Sequence, residues 1–131
     1  MKTKRSTSDA MMGKRFAMTD DGKFEQGVAD FNAGRFFEAH EVWEELWLAA
    51  AEPEKTFLQG LIQVTAAFHH HSRGNTQGRR SLLSAGLAKL ADCPEAFRGA
   101  AIGELRNDAR AWADSLHHGK DSRKLPQIRR A

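Results

Sequence analysis

Between Asp20 and His118 the apolar residues recur at helical spacing, and residues that end helices interrupt them: Asn32-Ala33-Gly34, Glu52-Pro53, Arg73-Gly74-Asn75 and Cys93-Pro94. This punctuation constrains the fold more than any other feature. Phe24, Val28 and Phe31 mark a first helix behind Asp20 and Asp21, and a second runs from Arg35 to about Ala50. A third begins after Pro53, where a first turn tolerates proline, and reaches Ser72 or Arg73. A fourth covers Gln77 to Ala91, with Leu82, Leu83, Leu87 and Leu90 as its stripe. The last, after Pro94, carries Phe97, Ile102, Leu105, Ala109, Trp112 and Leu116. Strand signals are nearly absent: there is no Tyr and no sustained alternation of apolar and polar positions. Short turns make sequential helices antiparallel neighbours, so the expected fold is all-α, a single compact bundle of about five antiparallel helices arranged as stacked helical hairpins. A faint echo at an offset of 40 residues, Gly34-Arg35-Phe36 against Gly74-Asn75-Thr76, has the rhythm of hairpin repeats without their diagnostic pattern.

The chain has 131 residues, enough for one domain, and its net charge of +3 is unevenly spread. Residues 1–19 carry +4 and residues 119–131 carry +4, which leaves −5 on residues 20–118. The expected organisation is therefore a helical domain over 20–118 between two flexible basic tails. Nucleic acid is not expected as a partner except through those tails. No apolar run is long enough to span a membrane. Cys93 is the one cysteine, so no disulfide can form within the chain; with no signal-peptide pattern behind the basic start, a cytoplasmic location is expected. Cys93 itself reads as an ordinary loop thiol, although a helix start at Pro94 would favour a reactive one.

The chemistry concentrates in the second and third helices. On a wheel of about 100° per residue, Phe36, Ala39, Val42, Trp43, Leu46 and Trp47 form an apolar arc, while Glu38, Glu41 and Glu45 gather opposite. His40 and Glu44, at i and i+4, lie at the edge of the arc beside Trp47, where they can share a hydrogen bond or chelate one ion. His40-Glu41-Val42-Trp43-Glu44 is only a partial match to the zinc-protease pattern, because glutamate replaces the second histidine. On the third helix Gln59, Gln63 and His70 share a stripe, His69 projects with Leu58, Ile62 and Thr65, and His71 reads as surface. A site of His40, Glu44 and His69 would hold a divalent metal such as zinc, with Glu41 or Glu38 to orient or deprotonate water, and with Trp47, Gln59, Gln63 and His70 around it. The alternative is a polar network of His40, Gln59 and Gln63 that fixes helix register. Arg73, Arg79 and Arg80 form a basic cluster near a helix start, read as a solvated turn or an anion contact.

Phe31-Asn32-Ala33-Gly34-Arg35-Phe36-Phe37-Glu38-Ala39-His40-Glu41 with Glu44 and Trp47, then Phe57-Leu58-Gln59-Gly60-Leu61-Ile62-Gln63, then His69 or His70 with Gly74-Asn75, resemble the bacterial and archaeal domain of unknown function 309 over about Phe31 to Leu90. The resemblance implies a small all-helical protein with motif positions at Glu38, His40, Glu41, Glu44, Trp47, Gln59, Gly60 and His69. It also implies a label sometimes attached to that family, predicted metal-dependent hydrolase. Gly60 suggests a close helix contact. Two function classes follow: a metal-dependent hydrolase or metal-binding protein, and a non-catalytic module that binds a protein or peptide through a groove between hairpins. The many aromatics on short helices also leave a homodimer open.

Overall fold

The computed structural model describes residues 18–117 and 124–131. Five helices are present among them: α1 (Asp20–Asn32), α2 (Phe36–Ala49), α3 (Glu54–Ser72), α4 (Thr76–Lys89) and α5 (Ile102–His117). The expected all-α architecture is the observed one. Thr19 caps α1 by accepting a hydrogen bond from the Gly22 amide at 2.9 Å, and Asn75 caps α4 by accepting from the Gly78 amide at 3.0 Å.

The echo in the sequence is a repeated turn. At the end of α1 the Arg35 amide donates to the Asp30 carbonyl at 2.8 Å and Gly34 takes φ 82°; at the end of α3 the Asn75 amide donates to the His70 carbonyl at 2.8 Å and Gly74 takes φ 78°. Both are six-to-one helix closures that need a residue free to adopt a left-handed backbone. Side chains close each turn at the same two positions. Asp30, buried at the end of α1, accepts from Arg35 Nε at 3.1 Å and Nη2 at 3.0 Å; His70 Nδ1 lies 3.0 Å from Asn75 Nδ2.

Aromatic rings tie α1, α2 and α3 together. Phe31 meets Phe36 at 5.4 Å and Phe68 at 5.7 Å between centroids, and Phe24 stacks on Trp43 at 5.8 Å. The buried Trp43 indole donates to the Phe24 carbonyl at 3.1 Å, in a notch left by Gly27, where a Cβ would stand 2.1 Å from the indole nitrogen. Helices α3 and α4 meet at glycines. A Cβ at Gly86 would lie 2.8 Å from the Gly60 carbonyl oxygen and 2.8 Å from Val64 Cγ2, which is the close contact that Gly60 suggests. Helix α5 covers the other side of α3, with Trp112 edge-on to Phe68 at 5.0 Å.

Two expectations fail toward the C-terminus. The last helix starts at Ile102, not after Pro94: Phe97 belongs to a short hairpin, β1 (Ala96–Phe97) and β2 (Ala100–Ala101), joined by Arg98 at φ 51° and Gly99 at φ 80°. Positive φ at both turn residues suits the right-handed twist of a two-residue hairpin. Arg106 fixes the approach to it, donating to the Leu90 and Cys93 carbonyls at 3.1 Å each. Arg98 anchors the tip, with one guanidinium nitrogen on Asp21 and another on Glu54, both at 3.0 Å.

The second correction concerns the C-terminal tail, expected to be flexible over 119–131. Residues 124–131 form a docked strap. Asn32 clamps Ile128 in both directions, accepting from its amide at 2.8 Å and donating to its carbonyl at 2.9 Å. Ile128 is buried, and the Ala101 amide donates to the Arg129 carbonyl at 2.8 Å, extending the hairpin. Residues 118–123, and all of the N-terminal basic tail except Met18 and Thr19, lie outside the described residues.

The glycine contact yields a stability prediction. Gly86→Ala should lower the unfolding free energy by about 1–3 kcal/mol, because the added methyl meets a backbone carbonyl that cannot rotate away. A urea melt with the wild-type midpoint would contradict this packing.

Candidate functional site

The core contacts fix the rotation of α2. Phe36, Ala39, Val42, Trp43 and Leu46 are buried, as the wheel expects, and the opposite side carries Phe37, Glu38, Glu41, Glu44 and Leu48. Phe37 is 52% exposed and Leu48 72%, and they are the large hydrophobic side chains that stand out as exposed among the described residues. Glu38 and Glu41 are exposed, while Glu45 pairs with Lys23 at 3.5 Å.

His40 sits at the boundary with its side chain 29% exposed, and its Nε2 lies 3.5 Å from Glu44 Oε2. This is the i, i+4 pairing that the sequence suggests. The imidazole lies nearly parallel to the Phe37 ring, 6.2 Å between centroids and 20° between planes. His69, from α3, meets the same phenyl ring at 6.0 Å. Both imidazoles therefore pack on Phe37, an apolar ring, and not around a common ion position. Among the described residues no group of three His, Cys, Asp or Glu side chains is placed to hold a metal ion. The expected ligand set of His40, Glu44 and His69 is not assembled.

The polar network is not closed either. His40 Nδ1, Trp47 Nε1 and Gln63 Oε1 are buried without a hydrogen-bond partner. Trp47 keeps a different contact: Lys55 donates to its carbonyl at 2.8 Å and holds the ammonium 4.3 Å above its ring. Gln59 is partly buried on α3. His70 locks the α3–α4 turn, as described above. His71, read as surface, is instead partly buried, edge-on to Trp112 at 4.9 Å and 3.0 Å from Arg79 Nη1.

Two cavities open elsewhere. One, of about 700 Å³, lies between the α1–α2 turn, α5 and the strap, and mixes Asp108 with Lys124 and Arg129. The other, of about 540 Å³, lies between α4 and α5. None of the nine candidate site residues lines either one. The surface that sequence reasoning missed is the pair Phe37 and Leu48. Their signal was available, since both fall off the apolar arc of α2 and have no arc of their own.

Residues 24–82 match the family described as Domain of unknown function (DUF309). That stretch holds most of α1, all of α2 and α3, the start of α4, every candidate site residue and both exposed hydrophobics. The chain is 39% identical over 77 residues to an uncharacterized protein of Aquifex aeolicus (strain VF5), covering 58% of this chain and 23% of the relative. It is 37% identical over 59 residues to the uncharacterized protein YpuF of Bacillus subtilis (strain 168), covering 44% of this chain and 34% of the relative. The similarity thus spans about a quarter to a third of each relative. Among the described residues no helix is long and apolar enough to cross a membrane.

Among the described residues, Cys93 has a strongly displaced titration. Burial pushes its thiol up to about 11, with the nearby Arg106 charge pulling the other way. The folded chain keeps the proton between the ordinary thiol value of about 8.5 and 11, so folding is favoured less as pH rises through that window. A thiol-specific reagent at pH 8.5 should label native Cys93 far more slowly than the same residue in denaturant. Equal rates would show that the side chain is open to solvent.

Proposed function

We propose that this chain is a non-catalytic binding module that engages a protein or peptide partner through the exposed face of α2. The observation that carries the reading is the stripe Phe37, Glu41, Glu44, Leu48, spaced i, i+4, i+7, i+11, which sets two exposed hydrophobic side chains at the ends of an acidic strip. At 1.5 Å per residue it runs for about 16 Å, the reach of a three-turn helix. Glu38 lies beside it and adds to the negative charge. Such a face fits a basic amphipathic segment, with apolar residues on Phe37 and Leu48 and lysines or arginines over the carboxylates.

Two further observations support a module. The matched stretch is a minor part of each longer relative, as expected of a domain used in several settings. The hydrolase label needs a set of converging donors, and no group of three His, Cys, Asp or Glu side chains among the described residues is placed to hold a metal ion. A single buried thiol suits the reducing cytoplasm.

The test uses the full chain and two labelled peptides of 16 residues, one of lysine and leucine and one of glutamate and leucine, each with helical periodicity. Fluorescence anisotropy should show the lysine peptide bound in preference, more weakly as salt rises. Phe37→Ser with Leu48→Ser should weaken binding about tenfold or more, and Glu41→Gln with Glu44→Gln should flatten the salt dependence. Both double variants should unfold within about 0.5 kcal/mol of wild type, since all four side chains are exposed. Equal binding of the two peptides, or binding indifferent to these substitutions, would overturn the reading.

A further inference from the structure

Helix α4 carries a second stripe that the α2 face does not use. Thr76, Arg80, Leu83 and Leu87 follow one another at i, i+4, i+7 and i+11, so the stripe passes from hydroxyl to cation to hydrocarbon. It lines the cavity of about 540 Å³ between α4 and α5, within the size range of small-ligand sites. Arg79 and Ser84 join it from α4, and Ala113 and Leu116 face it from α5. Among the described residues no carboxylate lines this groove.

The helix end beneath the two arginines adds to their positive charge. The first turns of α1, α2, α3 and α5 each carry an acidic residue: Asp20 and Asp21, Glu38, Glu54 and Glu104. The first turn of α4 carries none, so the positive end of its dipole adds to the two guanidinium groups. Arg79 is held in place by His71, 3.0 Å from its Nη1, while its buried Nε makes no hydrogen bond.

We propose that this groove binds a small amphipathic anion, its acidic head at Arg79 and Arg80 and its apolar chain along Leu83, Leu87, Ala113 and Leu116. Size selects a small ligand over a helix. The apolar part of the α4 stripe is one turn long, about 6 Å, whereas a docked amphipathic helix seats anchors over at least two turns, about 10 Å. The head can be a carboxylate or a phosphate, since arginine forks pair with both.

Calorimetric titration of the full chain with sodium octanoate and with octyl phosphate, below their micelle concentrations, tests this, with octanol and inorganic phosphate as controls. At least one octyl anion should bind about tenfold or more tightly than either control, and the preferred one identifies the head group. Arg80→Gln should weaken that binding about tenfold. Ser84→Trp, which fills the groove, should abolish it, and Phe37→Ser with Leu48→Ser should leave it unchanged. Arg80 and Ser84 are exposed, so both groove variants should keep the wild-type unfolding midpoint. Octanol binding as tightly as the anions, binding indifferent to both groove substitutions, or silence of both anions would overturn the proposal. So would a glutamate and leucine peptide that occupies the groove where the anions do not.

Discussion

The indole of Trp43 lies directly on the backbone of α1 because Gly27 puts nothing in its way, and its N–H finds the Phe24 carbonyl there. A buried indole that kept its donor unpaired would lose a few kcal/mol, so the contact fixes both the distance between α1 and α2 and the rotation of α2 about its axis. Every other placement on α2 follows at 100° per residue. Ala39, Val42 and Leu46 turn inward with Trp43, and Phe37, Glu41, Glu44 and Leu48 are carried outward. The proposed binding face is thus the other side of the core contact, and a change of rotation that relieved Phe37 would unseat Trp43.

The two halves of the bundle solve one geometric problem twice. Each helix that ends in Gly34 or Gly74 reverses through the same hydrogen bonds, and the side chain five residues before the first residue past the glycine is drawn back to it. In the first turn the pair is Asp30 and Arg35, a charge-assisted bond with the carboxylate buried; in the second it is His70 and Asn75, an exposed contact between an imidazole and an amide. The stronger pair stands where α1 and α2 bury aromatic rings, and the weaker where α3 and α4 meet through glycines that already exclude alternatives. His70, which sequence spacing groups with a candidate pocket, is explained by this turn without any ligand.

Much of this was legible in the chain itself. Helix number and the central boundaries follow from Gly34, Pro53 and Gly74, because each acts on its own few residues. The hairpin and the strap were not legible, for the opposite reason. Arg98 adopts a positive φ without the Asn or Gly that announces it, and it is held there by Asp21 and Glu54 from two other helices. The strap depends on Asn32, 96 residues from its partner Ile128. At the candidate site the pairing of His40 with Glu44 was readable because it lies within one helix. Whether His69 would join them depended on the angle between α2 and α3, and there the Phe37 ring takes both imidazoles.

The two proposed surfaces draw on different parts of the chain, and this separates their physics. The α2 face lies wholly within residues 24–82 and needs only α1, α2 and α3 to hold its rotation. The α4–α5 groove begins within that stretch, at Thr76, Arg79 and Arg80, but its apolar floor from Leu83 onward and its whole far wall lie beyond it. That wall stands because Trp112 packs on Phe68 and Arg106 captures the end of α4, contacts that reach α3 and α4 without touching α2. The α2 and α5 helices meet through the Phe68 ring of α3, which packs against Phe36 on one side and Trp112 on the other. The acidic face and the cationic groove share no lining residue, so a substitution in one leaves the side chains of the other in place.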